Sequence, residues 1–201
     1  MLQSAFLSIL TFCALTTAAK AAYVQWTVAS GGNGNWYGLT TSPMSWNEAE
    51  SFAVAFGGHL VSITSADEQA FVETTFLSGG NEQFVAWIGI NDAAIEGFFT
   101  WSSGEPVTFT NWTPTEPNDH FSEDYGAINW HHSYDPTLFT LGQWNDIQPE
   151  REQPYFGIIE LPAHPSSVPE PASCCALTSC FALSTVYGRR RKLKAETNSQ
   201  K

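Results

Sequence analysis

Two segments of similar grammar constrain this chain most. Ser45-Trp46-Asn47-Glu48 and Ser65-Ala66-Asp67-Glu68 each set a hydroxyl three residues ahead of a glutamate, the reciprocal N-cap that satisfies backbone donors at a helix start. Behind the first, Trp46, Ala49, Ala53 and Phe56 recur on one helical face, and Gly57-Gly58 stops the run. Behind the second, Phe71 and Phe76 face inward. The pattern predicts two short amphipathic helices that need a sheet to pack against. Strand-like segments supply it: "YVQWTV" and "NWYGLTT" flank the turn "SGGNGN", "HLVSI" separates the helices, and "FVAWIGIN", "FFTWSS", "GAINW" and "YFGIIEL" follow, divided by long polar loops. The fold class is α+β.

The ends read differently. Residues 1–22 carry the apolar run "AFLSILTFCALTTAA" and small residues at Ala19 and Ala21, which fits a secretory signal cleaved near Ala21. Residues 162–171 form a Pro/Ser linker. The apolar stretch 172–188 is slightly shorter than the ~17–25 residues of a typical spanning helix, and the basic tail 189–201 begins with Arg189, Arg190, Arg191 and Lys192. Val168-Pro169-Glu170-Pro171 ahead of an apolar segment and an arginine cluster resembles the PEP-CTERM sorting tail of bacterial envelope proteins. That resemblance implies recognition by an exosortase, transient membrane anchoring through the C-terminal segment, and a mature protein at the bacterial cell envelope or outside the cell. Residues 23–161 then form the exported domain.

Charge narrows what that domain binds. Residues 23–167 hold 18 acidic residues against the single base Arg151. Such a surface repels nucleic acid, whose phosphates need basic partners, and it repels itself unless cations screen it. The four cysteines, Cys13, Cys174, Cys175 and Cys180, all lie in the terminal segments, so the domain is built without disulfides.

The segments "SWNEAESFAVAFGGHLVSITSADEQAFV", "WIGINDAAIEGFFTWSSGEPVTFTNW", "EPN" and "WND", in that order, together resemble the C-type lectin domain over about residues 35–161. The resemblance implies a C-type lectin-like fold: two helices, small antiparallel sheets and a long calcium-binding loop region. The family's disulfide positions fall at Ala53 with Ile159 and at Tyr125 with Pro149, and none is cysteine here. An insert between Tyr125 and Trp144, containing "HHSYDPTLFT", has no counterpart in the resemblance.

The loop "TEPNDHFSED" packs four carboxylates and an amide around one proline. Like charges so close repel unless a cation sits among them, and Ca²⁺ takes 6–8 oxygens from carboxylates, amides and carbonyls. By the resemblance, the primary calcium and carbohydrate site comprises Glu116, Asn118, Glu123, Asn145 and Asp146, with a cis bond before Pro117. An auxiliary calcium site comprises Asp92, Glu96, Asp119, Asp124 and a shared Glu123. His131 and His132, two neighbours without a third ligand at defined spacing, read as loop residues. Trp36, Trp87, Trp101 and Trp112 read as core, and Trp130 and Tyr134 as candidates to stack on a sugar face.

No nucleophile or acid/base constellation stands out, so the expected activity is binding and not catalysis. Calcium-dependent binding of carbohydrate follows, with Glu-Pro-Asn implying mannose-type ligands (mannose, fucose or N-acetylglucosamine) whose vicinal hydroxyls are equatorial. The alternative is a structural or adhesive envelope protein whose calcium only orders loops and whose partner is another protein.

Overall fold

The computed structural model describes residues 23–148 and 154–165; the signal, linker, apolar and basic-tail segments expected at the ends lie outside them, apart from the first linker residues. The order is β1 (Val24–Gln25), β2 (Trp36–Leu39), α1 (Trp46–Ala55), β3 (His59–Leu60), α2 (Ala66–Phe76), β4 (Ala86–Asn91), β5 (Thr100–Trp101), β6 (Tyr125–Ile128), α3 (Trp130–Tyr134), β7 (Trp144–Ile147) and β8 (Phe156–Leu161). Among the described residues no helix is long and apolar enough to cross a membrane.

Helix α1 begins as its sequence predicts. Ser45 accepts from the Glu48 amide, and the Glu48 carboxylate returns to the Ser45 amide at 3.0 Å. Trp46 Nε1 donates to the Ile88 carbonyl at 2.8 Å and Trp87 Nε1 to the Met44 carbonyl at 2.8 Å, which fastens the helix across β4. Helix α2 departs from the expected reciprocal cap. Ser65 accepts from the Glu68 amide at 3.2 Å, but the Glu68 carboxylate turns inward, taking the Thr64 amide and hydroxyl, each at 2.9 Å. There it meets Tyr37, whose hydroxyl lies 2.7 Å from Glu68 Oε1 and 2.9 Å from Glu160 Oε1, while Asn33 and Asn35 donate to Glu160. Glu68 is 2% and Glu160 8% exposed. One phenolic hydrogen cannot serve two carboxylates, and burial with the facing Glu160 pushes the Glu68 pKa up.

The strands form one sheet in the order β1-β2-β8-β4-β6-β7, with β3 beside β8 and β5 beside β4. All pairings are antiparallel except β4 with β8, so the expectation of small antiparallel sheets is corrected to a mixed sheet with one parallel pair. The long excursion between β4 and β8 makes that parallel return possible. Two apolar clusters pack on it, one around Val61, Ile88, Trp101 and Trp144, the other around Trp46, Leu60, Trp87 and Ile147. Trp87 and Trp101 are core as read, while Trp36 and Trp112 are only partly buried. Ala53 and Ile159, at family disulfide positions, are buried together in the second cluster, and Tyr125 packs its ring 4.6 Å from Trp46. Apolar and aromatic contact thus fills the places of Ala53, Ile159 and Tyr125, while Pro149 lies outside the described residues.

Strand β6 lies tight on β4. A Cβ on Gly126 would sit 2.2 Å from Ile90 Cγ2, so only glycine allows the approach. That approach brings β7, one strand further out, under the acidic loop.

Candidate functional site

The segment WNDI becomes β7 and carries two of the expected site residues on a rigid element. Its Trp144 is fully buried and meets Trp101, Trp112 and Phe109 edge-on at 5.6, 5.6 and 5.8 Å. The same residue anchors the incoming loop: Trp144 N donates to the Asn111 carbonyl at 2.8 Å, and Thr113 donates to the Trp144 carbonyl through its amide at 2.9 Å and its hydroxyl at 2.7 Å. Glu116 N then bonds the Thr113 carbonyl at 3.0 Å. The Trp anchor therefore sets where Glu116 begins relative to Asn145 and Asp146.

The Glu116–Pro117 bond is cis, as the resemblance implies. Asn118 Nδ2 donates to Glu116 Oε2. The Asp146 carboxylate accepts the Asn118 amide at 3.1 Å and the Asp119 amide at 2.9 Å, so the strand grips the loop through backbone donors. His120 N donates to Asn118 Oδ1 at 2.8 Å and to Glu123 Oε2 at 3.1 Å. Four of the five expected primary residues, Glu116, Asn118, Glu123 and Asp146, are thereby joined in one network. The fifth, Asn145, enters through His131: Nε2 lies 2.8 Å from Glu116 Oε1 and 3.2 Å from Asn145 Oδ1.

His131 corrects the reading of both histidines as plain loop residues. It stands on α3 inside the insert, and nothing in the insert's composition signals a partner fifteen residues back. His132, by contrast, places Nδ1 3.3 Å from the Phe139 carbonyl oxygen. Trp130 and Tyr134 pack on each other at 4.6 Å, and Tyr134 is exposed.

The loop holds an unusual backbone. Thr115, Asp119, Phe121 and Ser122 all have positive φ, at 110°, 52°, 67° and 65°. Such conformations cost about 1–3 kcal/mol each and persist where surroundings over-determine them. Here the bonds to Asp146, Trp144 and Glu123 do so.

Of the auxiliary set, Asp92, Glu96 and Asp124 place a carboxylate oxygen each within 4.8 Å of one another. Asp92 N donates to the Asp124 carbonyl at 3.1 Å, and Glu123 N to Asp119 Oδ1 at 3.1 Å, which connects this cluster to the primary one. Asp92 is 2% exposed; its Oδ2 accepts Gly97 N at 2.9 Å, whereas its Oδ1 is buried with no hydrogen-bond partner. A buried carboxylate oxygen without a donor is costly unless a cation faces it. The described residues contain neither Lys nor Arg. Partial desolvation, then Asp92 and Asp119, push the Glu96 pKa up. Burial raises that of Glu116, opposed by His131 and reinforced by Asp146. An oxygen-only donor set of this charge fits a hard divalent cation such as Ca²⁺.

Comparison with known proteins agrees with the architecture. The chain is 37% identical over 133 residues to an alpha-N-acetylgalactosamine-specific lectin of Patiria pectinifera, covering 61% of this chain and 73% of that one. It is 35% identical over 116 residues to lectin BRA-3 of Megabalanus rosa, covering 57% of this chain and 64% of that one. The solved C-type carbohydrate-recognition domain of cow CD23, crystallised in the presence of a GlcNAc2Man3 oligosaccharide, superposes with a TM-score of 0.53 at 27% identity, over 65% of this chain and 89% of that one. The family model for the lectin C-type domain matches residues 42–156, more than half of the sequence. With the fold, the Trp-anchored strand and the Glu-Pro-Asn loop in agreement, the chain belongs to the C-type lectin domain family.

Proposed function

We propose that this domain binds carbohydrate through calcium, with a preference for mannose-type vicinal diols. The observation that carries the reading is the convergence of Glu116, Asn118, Glu123, Asn145 and Asp146 from a loop and a strand into one bonded network. When bound there, calcium supplies a hard positive centre with coordination positions left for ligand oxygens. The chain's own residues do the orienting. Glu116 and Glu123 accept hydrogen bonds from ligand hydroxyls, the amides of Asn118 and Asn145 donate to them, and Asp146 holds the loop by its backbone. No covalent bond changes.

The relatives' names differ in sugar, one specifying alpha-N-acetylgalactosamine and one structure determined in the presence of a GlcNAc2Man3 oligosaccharide. The order carboxylate at 116, amide at 118 is what favours the mannose type here. The auxiliary cluster of Asp92, Glu96, Asp119, Glu123 and Asp124 would hold a second ion and stiffen the loop. Export through the N-terminal signal, and processing of the tail by an exosortase at the bacterial envelope, complete the proposal. Titration of the full chain with methyl mannoside, fucose and N-acetylglucosamine, in calcium and in chelator, tests it: saturable binding only in calcium is expected, and binding that survives chelation refutes it.

One observation favours the second reading, a calcium-ordered adhesive domain with a protein partner. The insert helix α3 lies against Glu116 and leaves its carboxylate side chain only 3% exposed. Calcium-dependent stabilisation without binding of any of these sugars would select that reading.

A further inference from the structure

We propose that His131 is a specificity-determining residue of the carbohydrate site, a built-in donor that occupies the Glu116–Asn145 side and restricts which hydroxyl arrangements enter. The inference rests on the carbohydrate reading above and concerns a residue supplied by the insert. With Glu116 ionised, its Oε1 and Asn145 Oδ1 both accept, so the tautomer that satisfies both contacts, at 2.8 and 3.2 Å, carries the hydrogen on Nε2. That hydrogen sits on the carboxylate oxygen that would otherwise be open to a ligand hydroxyl.

The ring is held in place. Phe139 lies against it at 4.3 Å and Trp130 meets it edge-on at 4.8 Å. The helix carrying it is tied down at Asn129, whose side chain donates to the Glu82 and Phe84 carbonyls at 2.8 and 3.0 Å and accepts Gly142 N at 3.1 Å. The histidine side chain is 19% exposed, whereas Asn118, on the opposite side of Glu116, is exposed to solvent. The site is therefore asymmetric: a ligand approaches over Asn118 and must displace a fixed N–H to use Glu116 Oε1. Diols that need both sides are penalised, and ligands satisfied by the open side are not.

Full-length protein and its His131→Ala variant, each saturated with calcium, are titrated with methyl glycosides of mannose, fucose and galactose, and the calcium affinity of each is measured separately. Removing one competing hydrogen bond should raise monosaccharide affinity by about fivefold and flatten the rank order, with the calcium midpoint moved by less than a sugar affinity. His131→Gln, which returns a donor to the same place, should fall between. Phe139→Ala, which frees the ring without touching the site, should shift the rank in the same direction. In chelator, imidazole ¹⁵N–¹H correlation should show a protected Nε2 proton, which needs no ligand to observe. Tighter sugar binding with a flatter rank order in His131→Ala supports the proposal. Unchanged or weakened sugar binding in His131→Ala overturns it while leaving the carbohydrate reading intact. Calcium binding without sugar binding in both proteins overturns the carbohydrate reading and the proposal with it, and the unmodified chain alone reveals that case.

Discussion

Replacing Glu68 with Gln should stabilise the domain at neutral pH, because it removes one of two carboxylates that share a single phenol. The contacts of 2.7 and 2.9 Å to Tyr37 put the Glu68 and Glu160 oxygens no more than about 5.6 Å apart, which is ~3 kcal/mol of repulsion at an effective dielectric of about 20. Against this, the Thr64 amide and hydroxyl exchange a charged acceptor for a neutral one, a loss of about 1 kcal/mol each. The net gain is then ~1 kcal/mol, or about 3 °C in melting temperature for a domain of this size. The sign with pH follows from the raised Glu68 pKa. The folded state holds this proton more tightly than the unfolded chain, so stability from this group is greatest below the ordinary glutamate range and is lost as pH rises through the folded value. Gln mimics the protonated side chain and its amide can donate to the Tyr37 oxygen. Urea denaturation in chelator at pH 4 and pH 7.5 provides the measurement. Wild type and variant should coincide more closely at the lower pH and separate at the higher. A variant less stable at pH 7.5, with the pH slope unchanged, would refute the argument.

Thermal melts in calcium and in chelator should differ, with stabilisation of ~2.7 kcal/mol at a hundred times the dissociation constant; coincident curves would count against the cation. Because the pKa values of Glu96 and Glu116 are raised, protons should compete with calcium from above the ordinary carboxylate range, so the calcium midpoint should rise as pH falls from 7 toward 5. The double change Glu116→Gln with Asn118→Asp should retain calcium and move monosaccharide preference from mannose toward galactose, read by competition with methyl glycosides. Mass spectrometry of the native protein should find most of residues 168–201 removed; recovery of Lys201 as the main C-terminus would contradict processing.

The helices were legible because their signals are local. Ser45 with Glu48, and Gly57 with its φ of 82°, need no knowledge of the rest of the chain. Glu68 shows the limit of that logic: the same Ser-x-x-Glu spelling produced a half-cap, because Tyr37 and Thr64 compete for its carboxylate and their proximity is set by the sheet. WNDI read as a ligand motif and not as a strand, since the buried Asn145 and Asp146 hide its β character among polar side chains. The acidic loop was legible as a cluster, and the structure brings Asp92 and Glu96 to Asp124 as the resemblance implied. His131 was not. Its contact with Glu116 depends on where an insert without periodicity folds back, and two adjacent histidines carry no record of that.

The antiparallel pairing of β2 with β8 joins the first and last long strands of the domain through four registered residue pairs, from Trp36 with Leu161 to Leu39 with Ile158. The chain enters through β1 on the other side of β2, so entry and exit lie about two strand spacings, roughly 10 Å, apart. In engineering terms the domain is a cassette. A host loop receiving it needs to open by about the width of three adjacent strands, and spacers of different length at either end should leave the fold undisturbed. The same proximity makes the two ends mutually dependent, so trimming into Trp36 at the front and into Leu161 at the back should produce the same failure.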